Sequence, residues 1–130
     1  MKLFNDCIAV IACLVITGCH KDKNNDTMKQ LTIADVGSTA SVTMGETISL
    51  TLGNPGDGGY HFNDPEYKTS VLTLVSHTHQ NGSDKTGDFG NDTWNFTAKA
   101  SGTTTLEVTA SRSTQNAQRV SVFANEITVK

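Results

Sequence analysis

The sequence predicts an all-β domain over residues 31–130, built as two antiparallel sheets packed face to face. Three observations carry this expectation. Apolar residues beyond position 30 recur with a period of two, the pattern of a strand with one buried side. Clusters of Gly, Pro, Asn and Asp break the pattern at short intervals, as turns require. No stretch in this region carries an apolar stripe at 3.6-residue spacing, so no amphipathic helix competes. Abundant Thr, Ser and Val suit a pleated, half-buried surface.

Leu31 and Ile33 alternate as a short first strand, and Val42 and Met44 follow Gly37-Ser38. Glu46 to Leu52 sets Ile48, Leu50 and Leu52 on one side, with Thr47, Ser49 and Thr51 opposite. After a glycine-rich turn, Tyr60 and Phe62 resume an extended pattern, and Asn63-Asp64-Pro65 turns the chain again. Val71 to His79 has apolar residues on both faces, which predicts a central strand. Trp94, Phe96 and Ala98 alternate after a long polar loop, and Leu106, Val108 and Ala110 form another strand. Val120 and Val122 share a face in the last strand, Ile127 and Val129 continue it, and the slip in alternation places a bulge near Asn125. The predicted core is Ile48, Leu50, Leu52, Leu72, Leu74, Trp94, Phe96, Leu106, Val108, Val120 and Val122. About seven short strands in one domain make this an immunoglobulin-like β-sandwich.

The first residues have a different character. Lys2 precedes an apolar run of about nine residues, Ile8 to Ile16. At 1.5 Å per residue that run is too short to cross a hydrocarbon layer of ~30 Å. It reads as the apolar part of a signal peptide, residues 1–18. Ile16-Thr17-Gly18-Cys19 resembles the lipobox of bacterial lipoprotein precursors, which implies cleavage before Cys19 and lipid on that cysteine. Residues 19–30 are mostly polar and read as a flexible tether. A cytoplasmic protein with an apolar first helix fits Gly18-Cys19 and the polar tether poorly. The expected location is the bacterial cell envelope, with the protein anchored to a membrane by lipid. A basic-acidic pair after the cysteine, Lys21-Asp22, loosely resembles surface-export signals and points to the outer membrane or cell surface.

Composition narrows the function. Cys7 and Cys13 leave with the signal and Cys19 is consumed by lipidation, so thiol chemistry and thiolate metal sites are excluded from the mature chain. The net charge of −3 and scattered basic residues leave no stripe for a phosphate backbone, which argues against nucleic acid. No Gly-x-Ser-x-Gly elbow and no phosphate-cradling glycine loop is present, and no cofactor is called for. Asp57, Asp64, Glu66, Asp88 and Asp92 sit in turn-forming contexts and read as solvated turn residues rather than acid–base catalysts. His77 and His79 share a strand face, with His61, Asp64 or Glu66 as conceivable partners. A His-x-His pair is only part of a zinc shell, and an incidental surface pair is the expectation. The chain is not expected to be an enzyme.

A sandwich gathers its loops at its ends, where binding edges form. Gly53 to Gly59 holds four glycines and one proline in seven residues, a finger able to enter a cleft main chain first. Phe89 stands between Gly87 and Gly90 in a polar loop, either folded over the sandwich end or exposed for contact. Arg112 follows the Leu106 strand and carries five directed donors.

These loops resemble those of the chagasin-like inhibitors of papain-type cysteine proteases. Asn54-Pro55 and Gly59-Tyr60-His61-Phe62 match the frame of that family's Asn-Pro-Thr-Thr-Gly-Tyr loop. Gly56 and Asp57 stand at the threonine positions, and Gly58 is one inserted residue. Phe96 to Ala100 with Gly102 is similar to the family's next strand-turn unit. Leu106 to Arg112 matches up to the arginine, after which Ser113 and Thr114 replace a proline and an aromatic residue. The resemblance implies a protease-binding set of Asn54, Pro55, Gly56, Asp57, Gly58, Gly59 and Tyr60, flanked by Phe89 and Arg112. The implied partner is a papain-type cysteine protease. The alternative is a non-inhibitory surface module that binds a protein, or a glycan through Tyr60, Phe62 or Trp94.

Overall fold

Strand pairing is set by two inward rows of large apolar side chains. The computed structural model describes residues 27–113 and 118–130. The signal-peptide and lipidation expectations, and most of the predicted tether, lie outside those residues. Among the described residues, eight strands form two four-stranded sheets. The strands are β1 (Met28–Leu31), β2 (Thr39–Val42), β3 (Thr47–Gly53), β4 (Tyr60–Phe62), β5 (Leu72–Gln80), β6 (Asn91–Ala98), β7 (Gly102–Arg112) and β8 (Val120–Val129). One sheet has the order β1-β3-β6-β5, the other β2-β8-β7-β4. The expected all-β sandwich is therefore present.

The antiparallel β3–β6 pair sets Ile48 opposite Phe96 and Leu50 opposite Trp94. All four side chains are buried, and Leu106, Val108, Phe123 and Ile127 of the other sheet close the core over them. Taking each such side chain out of water is worth roughly 1.5–3 kcal/mol. Tyr67 lies edge-on to Phe96, with ring centroids 5.2 Å apart.

Four details differ from expectation. The sheets are mixed, because β1 runs parallel to β3 and β2 parallel to β8. Strand β1 starts at Met28, inside the segment read as tether, where Met28 pairs with Thr47 and Leu31 is buried against Leu50. Ile33 belongs to a 3-10 turn, Ile33–Asp35, capped by Thr32 and exposed. Strand β5 is an edge strand rather than a central one, because its two-sided apolar pattern comes from a bulge between Leu74 and Ser76. Val75 is the extra residue and is 64% exposed.

The last bulge is also displaced from its predicted place. Val108 pairs with Phe123 while Thr109 pairs with Ser121, so the extra residue is Val122, not one near Asn125. This shift turns Phe123, Asn125, Ile127 and Val129 inward as one row. Phe123 replaces Val120 in the core; Val120 is exposed, and Val122 and Leu74 only pack against the core margin. Buried Asn125 earns its place by donating through Nδ2 to Asp35 O and Ser38 Oγ, which pins the connection between the sheets.

Candidate functional site: one edge of three loops

The strand registers put the three loops on one edge. Gly53 and Gln80 both pair with Asn91, so the loop after β3 and the loop joining β5 to β6 leave the same end of one sheet. Tyr60 pairs with Arg112, and Val120 with Ala110, so the loop between β7 and β8 leaves the matching end of the other.

The first loop is tied down at its base. Asn54 N donates to Gly90 O at 2.8 Å, Asn54 Nδ2 donates to Asp92 Oδ2 at 2.6 Å, and Gly56 N donates to Asn54 Oδ1 at 3.0 Å. Gly59 N closes a turn onto Gly56 O at 3.0 Å. Gly58 and Gly59 hold φ of +83° and +77°, the left-handed region that side chains with a β-carbon resist. Asp57 is exposed at the tip, and Pro55 is half-buried beside Asn54.

The flanking residues touch this loop directly. A β-carbon on Gly56 would fall 2.7 Å from Phe89 Cδ1, so the Phe89 ring fills the space a side chain at position 56 would need. Phe89 is both folded against the first loop and 44% exposed. The Arg112 guanidinium lies over the Tyr60 ring, 4.6 Å from its centroid, and borders Gly58. Asn54 to Gly59, Phe89 of the second loop and the strand-end residues Tyr60 and Arg112 thus form one continuous edge.

The second loop is braced by its own aspartate. Asp88 accepts from Ser83 N, Ser83 Oγ and Gly90 N. Those bonds, the Ser83 hydroxyl first, hold its carboxyl below the ordinary value. It is the turn residue that its sequence context indicates.

Asp92 is not. It lies on β6, is 4% exposed, and faces inward. His77 Nε2 lies 2.8 Å from its Oδ1, and His79 Nδ1 lies 3.1 Å from its Oδ2. Burial pushes its carboxyl up, but hydrogen bonds from Asn54, His77 and His79, with the His79 charge, outweigh burial and leave it below its ordinary value. His77 also stacks on Trp94, with centroids 4.6 Å apart. The His-x-His pair therefore braces the loop base through Asp92, a role that sequence reasoning missed. The signal was available only in hindsight: a His-x-His face becomes the inner face once β5 carries a bulge.

The other histidine partners considered for a metal lie elsewhere. His61 is 3.5 Å from Ser111 Oγ in the opposite sheet, and Glu66 is ion-paired with Arg119 at 2.9 Å. Among the described residues, no group of three His, Cys, Asp or Glu side chains is placed to hold a metal ion. The aromatic residues considered for a glycan are also engaged. Trp94 is buried, Phe62 meets it edge-on at 5.0 Å, and Tyr60 lies under Arg112.

A sandwich that gathers the first and second loops and the ends of β4 and β7 on one edge, each touching the next, has the architecture of a protein-binding module. Residues 41–128 match the family described as chagasin family peptidase inhibitor I42, and the chain belongs to that family. No curated protein matches the chain. Among solved structures it is similar to the cysteine protease inhibitor EhICP2 from Entamoeba histolytica, with 19% identity and a TM-score of 0.65 over 79% of this chain and 95% of that one. It is also similar to amebosin, with 17% identity and a TM-score of 0.58 over 79% of this chain and 97% of that one. A third similar structure is PbICP-C in its complex with falcipain-2, with 13% identity and a TM-score of 0.54 over 78% of this chain and 99% of that one. At these identities the structures speak to the fold, which they share with this chain.

Proposed function

We propose that this protein inhibits papain-type cysteine proteases by laying residues 53–60 across the active-site cleft, with Phe89 and Arg112 against its two walls. The observation that carries this reading is the continuous edge: Gly56 meets Phe89, and Gly58 and Tyr60 meet Arg112. Family membership and the inhibitor neighbours support the same target class.

The mechanism is obstruction without chemistry. Gly56 to Gly59 offers main chain to the cleft, largely independent of side chains. The Asn54–Asp92 anchor and the closed Gly56–Gly59 turn fix the loop before contact, so less conformational freedom is lost on binding. Titrating residues 20–130 against papain-like proteases tests this, and the core of that fragment lies wholly within residues 31–129. Progressive loss of hydrolysis is expected. Undiminished hydrolysis at inhibitor concentrations of roughly 50 μM, where even weak complexes form, rejects the reading for the proteases used.

We further propose that the protein works at the bacterial cell envelope, held to a membrane by lipid on Cys19. The short apolar run and the Gly18-Cys19 junction support this. Expression of the full chain in a bacterial host with labelled palmitate checks it. Label and membrane association should both vanish in Cys19→Ser.

A further inference from the structure

The pole opposite the three loops has its own chemical character. Strand β1 runs parallel to β3 and pairs Met28 with Thr47, so the chain enters where β3 begins, while Gly53 at the far end of β3 opens into the first loop. Met44 N donates to Lys130 O, Gly45 N to Ala98 O, and Lys99 N to Val71 O, which gathers the 43–46 turn, the 99–101 turn and the end of β8 on this same pole. Lys29, Lys99 and Lys130 are exposed there. Lys68 lies alongside, its Nζ donating to Thr103 O at 3.1 Å. Four of the five lysines among the described residues are thus at one end, the fifth being Lys85 in the second loop. The acidic side chain in these turns is Glu46, whose carboxylate is occupied by the Thr43 N–H. Met28 and Met44, 51% and 60% exposed, add two unbranched apolar side chains.

We propose that this pole is a membrane-facing surface that takes anionic lipid headgroups. Clustered lysines beside the entry point of a chain attract a negatively charged bilayer. Exposed methionines supply flexible apolar contact at the headgroup boundary. The place where the outside chain arrives favours a bilayer over another occupant: Cys19, the expected lipid site, lies nine residues before Met28. The loop pole lacks this complementarity, because Asp57, Asp84 and Asp88 stand there and Arg112 is engaged by Tyr60. This surface does not depend on the inhibitor reading, and its test does not use a protease.

Residues 20–130, free of lipid, are sedimented with vesicles of phosphatidylcholine alone or mixed with phosphatidylglycerol. Binding to the mixed vesicles only, falling as salt rises, is expected. Each of Lys29→Ala, Lys99→Ala and Lys130→Ala should weaken it about fivefold. The triple variant K29E/K99E/K130E should sediment as on phosphatidylcholine alone, with unchanged circular dichroism and thermal unfolding. Equal binding to both vesicle types, or full binding by the triple variant, overturns the proposal. Dimerisation abolished by the same changes, without vesicle binding, assigns the pole to a second copy and overturns it equally.

Discussion

Asp92 shows how a single side chain sets the position of a binding loop. It accepts from Asn54 at the loop base and from two histidines behind it, while nearly shielded from water. Asp92→Ala leaves Asn54 and both rings without their acceptor, and a loss of about 1–3 kcal/mol in unfolding free energy is expected. Urea unfolding measures it, and target binding should fall in parallel. The pH dependence follows from the direction of the shift. A carboxyl held below its ordinary value of 3.8 stabilises the fold above that pH, and the contribution is lost as pH falls through the lower folded value. Wild type should therefore lose stability on acidification below about 3.8 more steeply than the Ala variant. Gly56 is a second case. Its need for glycine comes from the Phe89 ring and not from its backbone angle, since its φ is not among the positive ones. Gly56→Ala should weaken protease binding, and Phe89→Ala should relieve part of that loss. A double-mutant cycle on inhibition is expected to show coupling of at least about 0.5 kcal/mol. The glycine itself was legible in the sequence, but its reason was not, because the ring that demands it stands in another loop.

At the scale of elements, alternation located the strands and misplaced their phase wherever one residue was extra. Strands β3, β6 and β7 keep strict alternation in their core rows, and there Ile48, Leu50, Trp94, Phe96, Leu106 and Val108 face inward as expected. Strand β5 continues to alternate in sequence across Val75, yet the bulge moves His77 and His79 onto the face begun by Leu72 and Leu74. A period of two carries no mark of such a slip, because a bulge is fixed by the partner strand and not by local residue type. Val122 does the same in β8 and brings Phe123 inward. The bulge in β5 makes a sharp prediction. Deleting Val75 removes only the extra residue, so His77 should remain stacked on Trp94 and thermal unfolding should change little. Inserting one alanine after Val75 instead restores plain alternation across two added residues, so His77 slides from opposite Trp94 to opposite Asp92 and the stacking is lost. Tryptophan fluorescence distinguishes the two, with the wild-type spectrum expected for the deletion and an altered one for the insertion.

For the whole molecule, the sandwich works as a spacer with different chemistry at its two ends. Loop co-location was beyond the sequence, since it depends on which strand ends meet, and the registers at Asn91 and Arg112 decide it. The exposed tip residue Asp57 belongs to this scale, because what it meets is set by how the edge enters a cleft. A carboxylate brought near a catalytic thiolate is repelled, by on the order of 1 kcal/mol when both remain partly solvated. Asp57→Asn should therefore tighten inhibition several-fold, and more at low salt than at high salt. Strand β3 runs from the lysine-bearing pole to the first loop over seven residues, roughly 20 Å at strand rise. That separation keeps the loops clear of any surface gripped at the other end. Protease and lipid should then bind without competing. Inhibition by residues 20–130 should be equal in free solution and in the presence of anionic vesicles, and K29E/K99E/K130E should inhibit like wild type while failing to sediment. A loss of inhibition on vesicle binding would show that the membrane covers the loop edge, and would reverse the orientation drawn from the parallel pairing of β1 with β3.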